Sequence, residues 1–435
     1  MTAARRMPWH VDSWEATMTD VAAISQAVPK PDHVPDWAVF DFDMFHDPEY
    51  LADPHRRILE MAGKVPAVFW TPRNGGHWML MSHAANFEAS RDPETFSSEI
   101  VPRAQIKAMM AALPPGAPRI PQPVPINVDP PEHGQYRVPL QGAFSPKSML
   151  ALKDGIRALA AELIEKIKPQ GSAEFMAEVA EPLPVQVFLK IFGLPLERQA
   201  EYRALVKDHL SAGQNDPREM ARRLVKVTAV MRDTVLERKL NPRDDLISLL
   251  WQANIGGEPT TIEDMENYCV LLFLAGLDTV MNGMGHGVRH LAVDLDLQRK
   301  LRESPKLIAE AAEELLRRYT FTVPPRRVTK DHEFHGVTLK ANERVMLFLP
   351  AADLDPKEFE GPERYDLDRE NKVHIAFGTG PHRCLGSHLA RIELQVLYEE
   401  LLARLPEFRL DPAKPVRYHG GHVVGPDALW LLWDA

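Results

Sequence analysis

The sequence predicts an α+β fold that is mostly helical, with small β-sheets at the two ends of the chain. Three observations carry this. Helical periodicity dominates from about Ser148 to Ala312. Strand-like segments are confined to residues 67–81 and to the chain after residue 333. No regular β-α-β alternation occurs.

Taken in order, residues 1–36 read as a loosely ordered arm closed by Pro29, Pro31 and Pro35. Ala67–Trp70 and Trp78–Met81 flank Asn74-Gly75-Gly76 and read as a β-hairpin. Residues 99–129 form a long irregular stretch bearing Pro102, Pro114, Pro115, Pro118, Pro121, Pro123 and Pro125. A connection of that length is usually a functional lid or disordered, and Met109, Met110 and Leu113 suggest that part of it packs. Ala158, Leu159, Ala161, Leu163 and Ile164 begin one amphipathic helix, and Met220 to Leu240 form another. Strands return at Phe334–Leu339 and Arg344–Leu349, and Ala428–Trp433 reads as a last one.

Composition narrows the function. With 45% hydrophobic residues among 435, the chain can bury a large core. A net charge of −10 argues against nucleic acid as a partner, because phosphate binding needs clustered Lys and Arg. The two cysteines, Cys269 and Cys384, exclude a disulfide framework, an iron–sulfur cluster and a four-thiolate zinc site within this chain. The N-terminal residues carry no apolar signal core. The longest uncharged apolar run, Cys269 to Leu277, is too short to span a bilayer, so a cytoplasmic protein without a membrane anchor is expected. No dinucleotide fingerprint is present: Gly283-x-Gly285 lacks its third glycine and follows a helix, so electrons would have to come from another protein.

Cys384 lies in Phe377-Gly378-Thr379-Gly380-Pro381-His382-Arg383-Cys384-Leu385-Gly386, ahead of a good helix from Ser387. A sulfur at a helix N-terminus is favoured as a thiolate, and Gly378 and Gly380 permit a tight backbone around it. Gly386 would let a flat ligand approach closely. Alone, a single cysteine is more often an inert core residue, and a glycine-rich turn before a helix might bind phosphate. Upstream, Thr260-x-x-Glu263 is a candidate capping box for a helix that is apolar on every face from Cys269 to Leu277, until Asp278 and Thr279 interrupt it. That pair reads either as a satisfied core pair or as a proton-handling acid and alcohol. Glu314 and Arg317 fall on one helix face, opposite the apolar stripe, and by periodicity form an ordinary solvated pair. His133 and Arg137, one turn apart after Asp129-Pro130-Pro131, could share an anion or lie at the surface.

The ten-residue cysteine pattern resembles the haem-binding signature of the cytochromes P450 at every fixed position. Ala275-Gly276-x-Asp278-Thr279 resembles the oxygen-binding segment of that family, and Glu314-x-x-Arg317 its Glu-x-x-Arg motif. The likeness spans about Val34 to Leu432. It is closest to the bacterial camphor-hydroxylase group, through Phe40-Asp41-Phe42-Asp43-Met44, Asn74-Gly75-Gly76-His77-Trp78 and Glu313-Glu314-Leu315-Leu316-Arg317-Arg318.

The resemblance implies a single-domain P450 fold over residues 37–435, with haem b as cofactor and Cys384 as the axial iron ligand. It implies that His133, Arg137, Arg326 and His382 hold the haem propionates, and that Ala275, Gly276, Phe377, Gly378 and Gly386 face the haem. Asp278 and Thr279 would deliver protons to dioxygen, and Arg364 would complete the Glu314–Arg317 pair. Leu271, Leu274, Thr322, Val323, His422 and Val423 would line the substrate pocket. The implied reaction is hydroxylation of a small, largely hydrophobic cyclic substrate, terpenoid-like or aromatic, using O₂. Electrons would come from a [2Fe-2S] ferredoxin with its ferredoxin reductase. Two departures from the camphor enzyme matter: the 99–129 loop is longer, with Pro121 near the place of the ketone-binding tyrosine, and Pro324 replaces an aspartate at the haem edge. His422 reads as a histidine bonded to backbone in the Gly420-Gly421 turn, or as a polar anchor for substrate, as do Arg103 and Arg119 of the lid. The alternatives are a peroxide-driven haem-thiolate oxygenase, which would not need Asp278 and Thr279, and a non-catalytic haem sensor.

Overall fold

The computed structural model describes residues 26–112, 118–211 and 217–434. The helices around the site are, in chain order, α1 (Arg103–Ala111), α2 (Glu132–Ala143), α3 (Lys153–Ile167), α4 (Pro182–Phe192), α5 (Pro217–Leu240), α6 (Ile262–Val293), α7 (Ile308–Arg318) and α8 (Ser387–Arg404). The strands are β1 (Val68–Thr71), β2 (His77–Leu80), β3 (Phe96–Ser97), β4 (Ser172–Glu174), β5 (Asn254–Ile255), β6 (Glu258–Pro259) and β7 (Pro325–Val328). There follow β8 (His332–Phe334), β9 (Val337–Leu339), β10 (Arg344–Leu347), β11 (Phe408–Leu410), β12 (Arg417–His419), β13 (Gly425–Ala428) and β14 (Trp430–Trp433).

Strands far apart in sequence meet in one sheet of order β1-β2-β10-β7-β3, in which β10 runs parallel to β2 and the other neighbours are antiparallel. Trp78, Leu80, Val345 and Leu347 bury one face of it. A second sheet, β11-β14-β4, ties the C-terminus to the middle of the chain, and β12-β13 forms a separate hairpin. The expected strand 334–339 is broken. His335 and Gly336 take positive φ and turn the chain, so β8 and β9 pair with each other. The next expected strand stops at Leu347, because a short helix, Leu349–Ala352, begins there with Pro350 in its first turn.

Residues 26–36 do not behave as a loose arm. The Val28 amide bonds the Pro72 carbonyl and Val34 is fully buried beside Trp78. Residues 1–25 lie outside the described part of the chain. In the lid, α1 forms but buries none of its residues, and Met109 is 60% exposed, contrary to the packing expected of that group; Leu113 lies outside the described residues.

Helix α6 organises the interior and packs against α4, α5, α7 and α8. Its capping box is Thr261 with Asp264, one residue later than Thr260 with Glu263; the Thr260 hydroxyl instead donates to the Ala253 carbonyl. By length and composition α6 could cross a membrane, but 65% of its apolar window is buried within the protein. Tyr268, Val270, Phe273, Met284, Val288 and Leu291 are almost wholly buried, each of the larger ones worth about 1.5–3 kcal/mol. Gly287 is required where α6 crosses α8: a Cβ there would lie 1.9 Å from the Tyr398 hydroxyl.

Candidate functional site

The cysteine loop folds back on itself before α8 begins. The Cys384 amide donates to the Phe377 carbonyl at 2.8 Å, and Gly378 and Gly380 both take left-handed φ. Gly380 is also pressed on Ser90, whose carbonyl oxygen would be 2.3 Å from any Cβ. Gly386 sits at the N-cap of α8, and its amide bonds the Cys384 sulfur. Burial nevertheless pushes the Cys384 thiol up, against that amide and the guanidiniums of Arg137, Arg391 and Arg383. A coordinated metal ion makes a thiolate of such a sulfur outright. Cys384 is solvent-accessible, whereas Cys269 lies in an apolar cluster and burial pushes its thiol up.

Four basic side chains converge beside this loop. The rings of His133 on α2 and His382 meet edge to face at 4.5 Å. The Nε2 of each is buried without a hydrogen-bond partner among the described residues. Burial, with the neighbouring Arg137, pushes His133 down to about 4; burial, Arg326, His133 and Arg137 push His382 down to about 2. Arg326 is 8% exposed, donates only to its neighbour's carbonyl among the hydrogen bonds found, and is pushed down to about 10 by burial. Arg137 reaches across to the Arg383 carbonyl at 2.6 Å. A nearby carboxylate, Asp129, does not cap α2. It is held by the Ser97 hydroxyl and the Ser98 amide, with an oxygen 4.0 Å from His382 Nε2.

Asp278 and Thr279 lie in the middle of α6. The Thr279 hydroxyl donates to the Ala275 carbonyl one turn back at 3.0 Å. Burial raises the Asp278 carboxyl, and the Asn282 amide donates to it at 2.9 Å. Asn282 was not singled out in the sequence, although the i, i+4 spacing from Asp278 was a signal for it. Gly276 leaves room beside Phe188, 3.5 Å from where its Cβ would be.

Among the expected pocket residues, Leu271 and Leu274 belong to one apolar cluster that also takes in Leu385, next to Cys384. Thr322 and Val423 form an isolated antiparallel bridge. Val323 is a correction: it is 0% exposed in the core with Met44 and Phe348, because successive residues of an extended segment point to opposite faces. His422 is half-buried against Phe45, and its Nδ1 lies 3.0 Å from the Val323 carbonyl, so it is bonded to a different segment from the Gly420-Gly421 turn. Both lid arginines are already engaged, Arg103 with Glu132 and Arg119 with Glu266 and Asn267.

Glu314 and Arg317 are not a solvated pair: they are 6% and 1% exposed, bonded at 2.8 and 2.9 Å. The third partner is Arg369, whose Nε donates to Glu314 at 3.1 Å. Arg364 supplies only its backbone carbonyl, which accepts from both Arg317 and Arg369. Nothing in the local sequence distinguished the two arginines.

A large planar dianion with a thiolate-ligated metal fits these residues. The orphaned Nε2 atoms of His133 and His382, with Arg137 and Arg326, match two carboxylates, and Cys384 is the one accessible thiol among the described residues.

Comparison with known proteins agrees. The family model for cytochrome P450 matches residues 202–419. A probable cytochrome P450 127A1 of Sinorhizobium fredii is 35% identical over 93% of this chain and 97% of its own. A steroid C26-monooxygenase of Mycobacterium tuberculosis is 30% identical over 77% of this chain and 89% of its own. The crystal structures of CYP101J2 and CYP101C1 superpose with TM-scores of 0.83 and 0.84, each at 33% identity, covering 94% of this chain and all of theirs. The chain therefore belongs to the cytochrome P450 family, as a haem-b-dependent monooxygenase of the bacterial soluble type.

Proposed function

We propose that this protein hydroxylates a small, largely hydrophobic ring compound in the cytoplasm, using O₂ and electrons from a [2Fe-2S] ferredoxin and its reductase. The observation that carries the reading is the acid and alcohol set into the apolar helix α6, with Asp278 raised by burial and Thr279 one turn from Ala275. A carboxyl whose pKa lies above its ordinary range exchanges protons more readily near neutrality. When bound, haem b supplies the redox-active iron at which dioxygen is reduced and the substrate oxidised.

The chain's own residues divide the remaining work. Cys384 is assigned as the metal ligand. His133, Arg137, Arg326 and His382 are assigned to the propionates, and Ala275, Gly276, Phe377, Gly378 and Gly386 to the faces and edge of the cofactor. Leu271, Leu274, Thr322 and Val423 would bind the substrate mainly by burying its apolar surface. Thr279 would hold, and Asp278 supply in turn, the two protons that the reaction consumes.

On the cysteine side, Arg383 is exposed, while Lys372 and Arg391 are paired with Glu310 and Glu313. The attraction for an acidic ferredoxin would therefore rest on Arg137 and Arg383 more than on Lys372.

The test is Thr279→Ala. Substrate binding and O₂ consumption should persist while peroxide released per product rises, with product formation falling toward the 10²–10⁴-fold loss typical of a missing proton donor, about 10² at the least. Loss of substrate binding with coupling unchanged would sink the assignment.

A further inference from the structure

We infer that His419 and Asp427, paired on the β12-β13 hairpin, form the port through which solvent protons reach Asp278. This rests on the reading of Asp278 above and extends it from the middle of α6 to the protein surface.

The two pairs are brought together by the packing of β13 on α6. Asn282, one turn along α6, is 0% exposed and donates its amide to Asp278 Oδ1 and to the Asp278 carbonyl, at 2.9 and 3.0 Å. Its own Oδ1 is buried with no hydrogen-bond partner among the described residues. That oxygen abuts β13: a Cβ at Gly425 would lie 1.7 Å from it, so only glycine lets the hairpin come so close. Across the hairpin, Gly425 is paired in register with His419. His419 Nδ1 lies 2.9 Å from Asp427 Oδ1, and the two side chains are 36% and 56% exposed.

A solvent-facing imidazole oriented by a carboxylate is thus separated from a buried carboxyl by one amide with a spare acceptor. A buried acceptor without a partner costs about 1–3 kcal/mol, and the port requires that a solvent molecule reach it as the hairpin breathes away from Asn282. The step conserves protons. His419 imidazolium releases its Nε2 proton, the Asp278 carboxylate gains one through that bridge, and His419 is reprotonated from solvent with Asp427 holding Nδ1–H.

Charge supports the same direction. After burial, the charge of His419 is the largest influence on the Asp278 carboxyl, and it favours the ionised form that receives the proton. The titratable groups facing His419 are Asp427 from β13 and Asp278 and His286 from α6.

The experiment uses the haem-loaded protein with His419→Gln, Asp427→Asn and Asp278→Asn. In the resting ferric state, without turnover, the His419 ring resonances should shift on Asp278→Asn. In turnover, His419→Gln should slow product formation about 10-fold, less than a full general-acid contribution of about 10²-fold because solvent substitutes in part. It should also enlarge the solvent isotope effect, release more peroxide and leave substrate affinity by the ferric spin shift unchanged. Asp427→Asn should follow in the same sense, less strongly.

His419 resonances unmoved by Asp278→Asn, or a wild-type isotope effect in His419→Gln, would overturn the port while leaving Asp278 in place. A wild-type isotope effect in Asp278→Asn would instead remove the reading of Asp278 on which the port depends.

Discussion

His133 and His382 lie far apart in the sequence and meet edge to face at 4.5 Å, each presenting a buried ring nitrogen that no described residue satisfies. Buried polar atoms are rarely left unpaired, and two on neighbouring rings beside Arg137 and Arg326 form a socket for carboxylates. Replacing His133 by Ala should remove one charge-assisted bond, worth about 1.5–3 kcal/mol, and speed haem loss roughly 10- to 100-fold. Transfer of haem to excess apomyoglobin measures this. Unchanged transfer rates in both His133→Ala and His382→Ala would exclude the two rings from cofactor binding.

Arg369 and Arg364 lie five residues apart but do different work. Arg369→Ala strips a guanidinium from the buried Glu314–Arg317 pair, whereas Arg364→Ala leaves every backbone bond to its carbonyl intact. Breaking a buried ion network costs about 3–5 kcal/mol. Denaturant unfolding should show a loss of that size for Arg369→Ala and a much smaller one for Arg364→Ala. Equal losses would contradict the geometry.

Acid should destabilise the fold through a buried histidine cluster formed by His286 and His290 of α6 with His55. His55 bonds the Thr320 carbonyl, His286 the Val424 carbonyl and His290 the Tyr319 hydroxyl, at 2.8, 2.9 and 2.8 Å. Burial pushes His55 well down and holds His286 and His290 at about 4. The unfolded chain binds these protons first, at its ordinary histidine pKa. Their stability contribution is therefore complete above about pH 6.5 and is lost as pH falls toward 4. Each titrating group adds a slope of about 1.4 kcal/mol per pH unit in that window. Urea unfolding between pH 7.5 and 4.5 should show the slope, and His286→Phe should reduce it by one group's share.

His422 should discriminate alcohols from ketones. Its Nδ1–H is committed to the Val323 carbonyl, and burial keeps the ring neutral, which leaves Nε2 as a hydrogen-bond acceptor. An acceptor takes a substrate hydroxyl and offers nothing to a ketone. Ferric spin-state titrations with matched cyclic pairs should favour the alcohol by about 0.5–1.5 kcal/mol, and His422→Leu should abolish the preference. A wild-type preference for the ketone, or one that survives His422→Leu, would remove His422 from recognition.

Local chemistry made much of this protein legible in its sequence. The cysteine loop is ten consecutive residues, so its glycines and its helix boundary at Gly386 follow from short-range geometry. The hairpin around Asn74-Gly75-Gly76 and the helices that became α3 and α5 were likewise visible as turn chemistry and period.

What the sequence determined by itself was the helical character, the ends that carry strands, and the cysteine loop set against an acid and alcohol in an apolar helix. Only the tertiary structure decided which side chains meet. Periodicity placed Glu314 and Arg317 on a polar face, but the segment around residues 353–369 covers that face and buries them. Arg369 and not Arg364 reaches the pair, Val323 and not its neighbour Thr322 turns into the core, and His419 arrives beside α6 through β12-β13 pairing. These outcomes depend on contacts between residues tens to hundreds of positions apart. Such contacts are set by how layers pack and how backbone groups find partners, and a local window of sequence does not contain them.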